Sequence, residues 1–160
     1  NSLSEFNIFN SHFVDNQIKT FNEINLGIAY ALKEGLVVPV IKNSKEKSLL
    51  EIAKEIRGFS SKEKKGFSQE DISGSTFSIT SLNSTIVDSF NPLINPPEVG
   101  ILGIGRISEE TQVISEKLTS RKICFFNLTF DHRVVDGFPA AKFLESIEKN
   151  IQNPQSLVEK

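Results

Sequence analysis

Apolar and polar positions alternate from Ile24, placing Ile24, Leu26, Ile28 and Tyr30 on one side of the chain, the period of a half-buried strand. The charged turn Lys33-Glu34-Gly35 separates this run from Leu36 to Ile41, which is apolar on both faces and predicts a buried strand. Pro39 marks a bulge or a sheet edge within it. Two such runs joined by a glycine-containing turn predict a hairpin. Ser48-Leu49-Leu50-Glu51 then has the form of a capping box, opening a helix whose apolar stripe is Leu49, Ile52, Ala53 and Ile56. Gly58 weakens that helix without ending it. The mixed charges from Lys62 to Lys65 are a solvated helical face or loop, and Ser68 to Ile72 is expected to cap one further helical turn.

From Ser75 to Ser81 the alternation returns, with Phe77 and Ile79 on one face and the hydroxyls of Thr76, Ser78 and Thr80 on the other, expected to be hydrated. Asn83 to Ser89 is loop-like, and Pro92 to Pro97 is rigid. Val99 to Ile107, with Gly100, Gly103 and Gly105, predicts a strand that other backbones approach closely. Its glycine spacing is wrong for a dinucleotide-binding loop. The polar residues 108–122 are expected to be a hairpin connection, and Ile123 to Phe130 a strand. A last helix, Phe138 to Ile151, has the stripe Ala140, Phe143, Leu144, Ile147 and Ile151. Asn153-Pro154 ends it, leaving a tail with Leu157 and Val158. Residues 1–21 show no clear period, and His12 among them is expected on the surface or in a loop.

Between the last predicted strand and the last helix lies Asp131-His132-Arg133-Val134-Val135-Asp136-Gly137. A polar loop at the end of a rigid strand can aim a side chain at a substrate. Histidine exchanges a proton near neutral pH. The carboxylates Asp131 and Asp136 flank His132, Arg133 can hold one of them, and Gly137 gives the backbone room to turn. This is a general-base arrangement, and it is equally what a satisfied structural histidine would look like.

Composition narrows the classes. A chain of 160 residues with 38% hydrophobic and 24% charged residues is long enough to bury one domain's core. A net charge of −2 offers no broad basic surface to nucleic acid or an acidic membrane, and no apolar run approaches bilayer length. No signal-peptide pattern is present. The lone Cys124 excludes an internal disulfide framework and suits a reducing compartment; its parity with Phe126, Leu128 and Phe130 favours packing over a nucleophilic role.

The histidine loop, together with G-I-A (27–29), G-L-V-V-P-V-I (35–41), T-F-S-I-T (76–80) and I-N-P-P-E-V (94–99), resembles the catalytic domain of dihydrolipoamide acyltransferases, the core components of 2-oxo acid dehydrogenase complexes. The resemblance runs in order from about Phe6 to the C-terminus. It implies an α/β, chloramphenicol acetyltransferase-like two-layer fold with a mixed sheet and packed helices. Residues 1–160 would be the C-terminal two thirds of that domain, the first third and any lipoyl or subunit-binding domains being absent, with 153–160 as an assembly tail.

The activity implied is transfer of an acyl group between dihydrolipoamide and coenzyme A. The lipoyl group would come on a separate domain, and no metal is involved. His132 falls on the family's general base and Thr80 on its hydroxyl oxyanion donor, one from each side of a subunit boundary. Asp136 falls on the loop organiser, more structural than chemical, and Asp131, Arg133 and Gly137 belong to the same loop. The cationic partner of Asp136 would be Arg133 or a residue of the absent segment. The implied partners are a homotrimer building a larger cage through Leu157 and Val158, together with decarboxylase and dihydrolipoamide dehydrogenase components. The implied compartment is the cytoplasm, or the mitochondrial matrix in a eukaryote.

The chain departs from the family pattern after Thr80, where Asn83 and Ile86 replace loop glycines. Ile86 does not tolerate a left-handed conformation, so the loop is expected to take another path. Two alternatives follow: an acyltransferase acting on a small hydroxyl compound with the same histidine, and a cage scaffold that has lost turnover.

Overall fold

The computed structural model describes residues 1–155. In chain order the elements are α1 (Ser2–Glu5), β1 (Ser11–Val14), β2 (Gln17–Thr20), β3 (Leu26–Ile28), β4 (Tyr30–Leu32), β5 (Gly35–Val37), β6 (Val40–Ile41), α2 (Leu49–Lys65), β7 (Phe77–Ser81), β8 (Gly100–Ile114), β9 (Lys117–Phe130) and α3 (Gly137–Gln152). Leu157 and Val158 lie outside the described residues. No described helix is long and apolar enough to cross a membrane.

The main sheet has the order β6-β3-β7-β8-β9. It is mixed: β3, β7 and β8 run parallel, while β6 and β9 are antiparallel to their neighbours. One face carries Phe77, Ile79, Leu102, Leu128 and Phe130, and α3 packs on it through Ala140 and Phe143. Phe143 stacks on Phe9 at 4.4 Å between ring centroids and meets Phe77 edge-on at 5.8 Å. Val135, Val99 and Leu102 complete this core. The stripe predicted for the last helix is borne out at Ala140, Phe143, Leu144 and Ile147, but Ile151 is exposed.

The second face of β7 corrects the expectation of hydrated hydroxyls. Thr76 and Ser78 are buried, and each hydroxyl is committed to a polar partner. Thr76 Oγ1 donates to Asn10 Oδ1 at 2.6 Å and accepts from Asn25 N, while Asn10 Nδ2 donates to the carbonyls of Phe21 and Glu23. The buried asparagine thereby uses both ends of its amide, as burial demands.

Other segments also depart from expectation. Residues 24–41 do fold back on themselves, but as two short ladders, β3 with β6 and β4 with β5. The break comes at Pro39, whose carbonyl takes the Ile28 N–H, and β6 is a sheet edge, as a proline in the run requires. Leu36 is exposed, not buried, because β4 and β5 pair only with each other. In α2 the capping box is present, Glu51 N donating to Ser48 Oγ and Ser48 N to Glu51 Oε2. The helix continues through Gly58 to Lys65. Its contact face is turned from the predicted stripe: Phe59 is buried against Tyr30 and Phe67, leaving Leu49 and Ile56 exposed. Ser68 to Asp71 forms a capped turn without a helix.

One hairpin escaped the sequence pattern: residues 11–20 pair around Asp15 and Asn16. The polar stretch 108–122 does join two strands as a hairpin, but as the paired outer half of the ribbon formed by β8 and β9 rather than as a loop. That ribbon turns at Ser115 and Glu116, both with positive φ. Glu109 faces Lys122 and Glu110 faces Arg121 across it, so opposite charges sit in register.

Candidate functional site

The Asp131–Asp136 loop is set by its backbone before any side chain acts. Asp131 N donates to Val99 O at 2.8 Å, and Asp131 O accepts from Val134 N and Val135 N, closing a tight turn that delivers the chain into α3. Asp131 and Arg133 lock this turn. Arg133 Nη2 reaches Asp131 Oδ2 at 2.6 Å, Arg133 Nε reaches Oδ1 at 2.9 Å, and Arg133 N adds a bond to Oδ1. The guanidinium holds the Asp131 carboxyl below the usual carboxylate range. Its other face lies 4.5 Å over the Phe13 ring, so β1 braces the loop from outside.

Arg133 is thus committed to Asp131 and is not the partner of Asp136. Asp136 instead faces His132. It occupies the N-cap position of α3 without capping it, and its Oδ1 stands 3.6 Å from His132 Nδ1. A carboxylate there is favoured by the helix N-terminus and biases the imidazole proton toward Nδ1, leaving Nε2 as the basic nitrogen. The ring lies 5.6 Å from that of Phe130. Gly137 is the first helical residue; its φ is ordinary, and a Cβ there would meet nothing within 4 Å in this chain.

Thr80 is half-buried on β7, in register with Gly103, which is in turn opposite Asn127. Thr80 and β9 are therefore two strand spacings apart, about 10 Å. His132 lies beyond Phe130, farther along β9 than Asn127, which adds roughly 10 Å or more. One chain does not bring His132 and Thr80 together. Beside Thr80 the loop 82–95 crosses β8: a methyl at Gly103 would lie 3.1 Å from Phe90 Cζ, and one at Gly105 would collide with the Asp88 carbonyl. Arg106 pairs with Asp88, and Ser89 Oγ donates to Asn127 Oδ1 at 2.7 Å. Asn83 and Ile86 both keep negative φ, so the loop does follow a path without left-handed residues at those positions.

Three participants were missed in the sequence. Phe13 carried no signal, lying in a stretch without a period. Glu98 is only 3% exposed, and burial pushes its carboxyl above the usual range. His12 is not a free surface residue: its Nε2 donates to Ser75 O at 2.8 Å and its ring packs on Phe21. Cys124 is half-buried, its thiol directed at Gly105 O and raised in pKa by burial. Among the described residues no group of three or more metal-ligand side chains converges.

The sequence profile of the 2-oxoacid dehydrogenases acyltransferase (catalytic domain) family matches residues 1–159. The chain belongs to this family. It is 40% identical over 158 residues to the dihydrolipoyllysine-residue acetyltransferase component of the acetoin cleaving system of Bacillus subtilis, covering 98% of this chain and 40% of that protein. A probable dihydrolipoamide acetyltransferase from Listeria monocytogenes superposes with a TM-score of 0.90 at 35% identity, over 95% of this chain and 65% of that one. The dihydrolipoamide acetyltransferase of Azotobacter vinelandii, studied for the role of a serine, a histidine and an asparagine in its catalytic mechanism, gives 0.89 at 32% identity, over 97% and 65%. A chloramphenicol acetyltransferase shares the fold alone, at 11% identity and a TM-score of 0.55. The expected fold class is therefore borne out. The chain spans less than two thirds of the length of the Bacillus, Listeria and Azotobacter relatives.

Proposed function

We propose that this chain carries the reacting groups of a dihydrolipoamide acyltransferase, moving an acyl group between the thiols of dihydrolipoamide and coenzyme A. One observation carries the reading. In the Azotobacter vinelandii relative, the serine, histidine and asparagine studied for its mechanism are separated along the chain as Thr80, His132 and Asp136 are here. The residue types correspond: a hydroxyl stands for a hydroxyl, a histidine for a histidine, and Asp136 offers a side-chain oxygen where the relative has the amide of asparagine.

His132 Nε2 takes the proton of the incoming thiol, and the thiolate attacks the thioester carbonyl. The carbonyl π pair moves to oxygen, giving a tetrahedral oxyanion that the Thr80 hydroxyl stabilises, worth about 3 kcal/mol for one such donor. Collapse expels the second thiol's sulfur, which receives the proton back from the imidazolium. No group on the protein is acylated, so no nucleophile is required. Because His132 and Thr80 of one chain lie far apart, each centre pairs the histidine of one copy with the threonine of another, as a trimer allows. Free thiol substrates would suit a reducing compartment, the cytoplasm or mitochondrial matrix.

The test is His132→Ala in the full-length protein, assayed with acetyl-coenzyme A and dihydrolipoamide. Turnover falls by about 10²–10⁴ with both KM values close to wild type. A loss confined to KM refutes the base assignment.

A further inference from the structure

We propose that Glu98 is a positioning residue for acyl transfer, a buried junction that fixes in one frame the Thr80 strand and the His132 loop by which each copy serves two neighbouring centres; the proposal rests on the acyl-transfer reading above. Glu98 Oε1 accepts three bonds: from Ser75 Oγ, from Ser78 Oγ at 3.0 Å and from Asn95 Nδ2 at 3.3 Å. Ser78 lies two residues before Thr80 on the same strand face. On the other side, the residue after Glu98 supplies the carbonyl that holds Asp131 N at 2.8 Å, and Val99 N donates to Ser11 O. The residue before it, Pro97, accepts the N–H of Phe13, whose ring carries Arg133. Paths to the oxyanion strand, to the histidine loop and to its outer brace therefore all meet at residues 97–99.

Stability alone does not favour a carboxylate here: Glu98 Oε2 is buried with no hydrogen-bond partner among the described residues, which works against folding. Glu98 is not part of the β3–β7 and β7–β8 ladders. What a satisfied Oε1 adds is rigidity: a buried polar network has few alternative arrangements, so neighbouring groups stay where it puts them. Small misplacements of reacting groups cost turnover steeply.

Three variants of the full-length protein test this, with His132→Ala as the control for the reading itself. Glu98→Gln keeps a carbonyl oxygen for all three donors and should retain turnover within about threefold. Glu98→Leu removes the junction at similar volume, and Ser78→Ala removes only its link to the Thr80 strand. Both should lower kcat, about tenfold or more for Glu98→Leu and several-fold for Ser78→Ala, with KM for both substrates within about twofold. If Glu98→Leu fails to assemble, Ser78→Ala decides alone. Wild-type kcat in the assembled variants, a loss confined to KM, or a Gln variant as poor as the Leu variant would each overturn the positioning role. Should His132→Ala retain turnover, the base assignment falls and this proposal with it. A dead His132→Ala beside fully active Glu98→Leu and Ser78→Ala removes the proposal alone.

Discussion

His132 has little around it in the single chain: its side chain is 71% exposed and that of Asp136 is 84% exposed. At 3.6 Å the pair is just beyond hydrogen-bond length, which a closer approach would supply. Asp136→Asn, which keeps an acceptor for Nδ1–H, should leave kcat within about tenfold, whereas Asp136→Leu should cost about 10–100-fold more. Steady-state kinetics of the two variants decide it, and equal losses would reduce Asp136 to a helix-terminal residue. A second residue-level expectation concerns acid. Hydrogen bonding from Lys62 holds the Asp71 carboxyl at about 2, below its ordinary 3.8. A depressed carboxyl contributes stability that is present above the ordinary value and lost as pH falls through the folded one. The Tm deficit of Asp71→Asn should therefore be constant at neutral pH and vanish between about pH 4 and pH 2. The histidine loop was legible because charge, histidine and glycine gather where an apolar strand stops. Glu98 and Phe13 were not, because their roles depend on which strand lies opposite, and one residue's chemistry does not encode its neighbour across a sheet.

Elements with a buried face were legible, and those that pair in solvent were not. β7, the inner parts of β8 and β9, and α3 all carry periodic apolar positions because one side meets the core. The outer ribbon has both faces in water, so its sequence is polar and reads as a connection; register there comes from the turn at Ser115-Glu116 and from cross-strand charge. The shift of the α2 contact face has the same origin, since Phe59 is anchored by aromatic rings from two other segments that the helix period does not show. Where the ribbon leaves the sheet, the ladder is irregular between Ile104 and Ile107, and the Gly105 backbone touches that of Asp88. Gly105→Ala puts a methyl into a carbonyl and should destabilise by about 1–3 kcal/mol while displacing the loop beside Thr80. A denaturant midpoint equal to wild type would show that the loop moves freely.

For the whole molecule, the separation of His132 from Thr80 gives a sharp consequence. His132→Ala and Thr80→Ala proteins should each be weak alone. Co-expressed, they form mixed trimers in which about a quarter of interfaces join an intact histidine to an intact threonine. Activity should rise well above either parent, and mixing assemblies already closed should do much less. Mixed trimers, confirmed by mass spectrometry, that are no better than the stronger parent would sink the interface arrangement. Deleting residues 155–160, which contain Leu157 and Val158, should reduce the full-length particle to trimers in light scattering, because the apolar surface those side chains would bury between trimers is gone.

The join between the first and last helices sets the timing of folding. Ser146 Oγ and Asn150 Nδ2 both donate to Ser2 Oγ, across 144 and 148 residues of chain, and the Phe9–Phe143 stack lies in the same seam. During synthesis the early segments must wait for α3 before their apolar side chains are covered, and contacts that distant form slowly. For the same interval Phe6, Phe9 and Phe77, which all pack on Phe143, lack that cover.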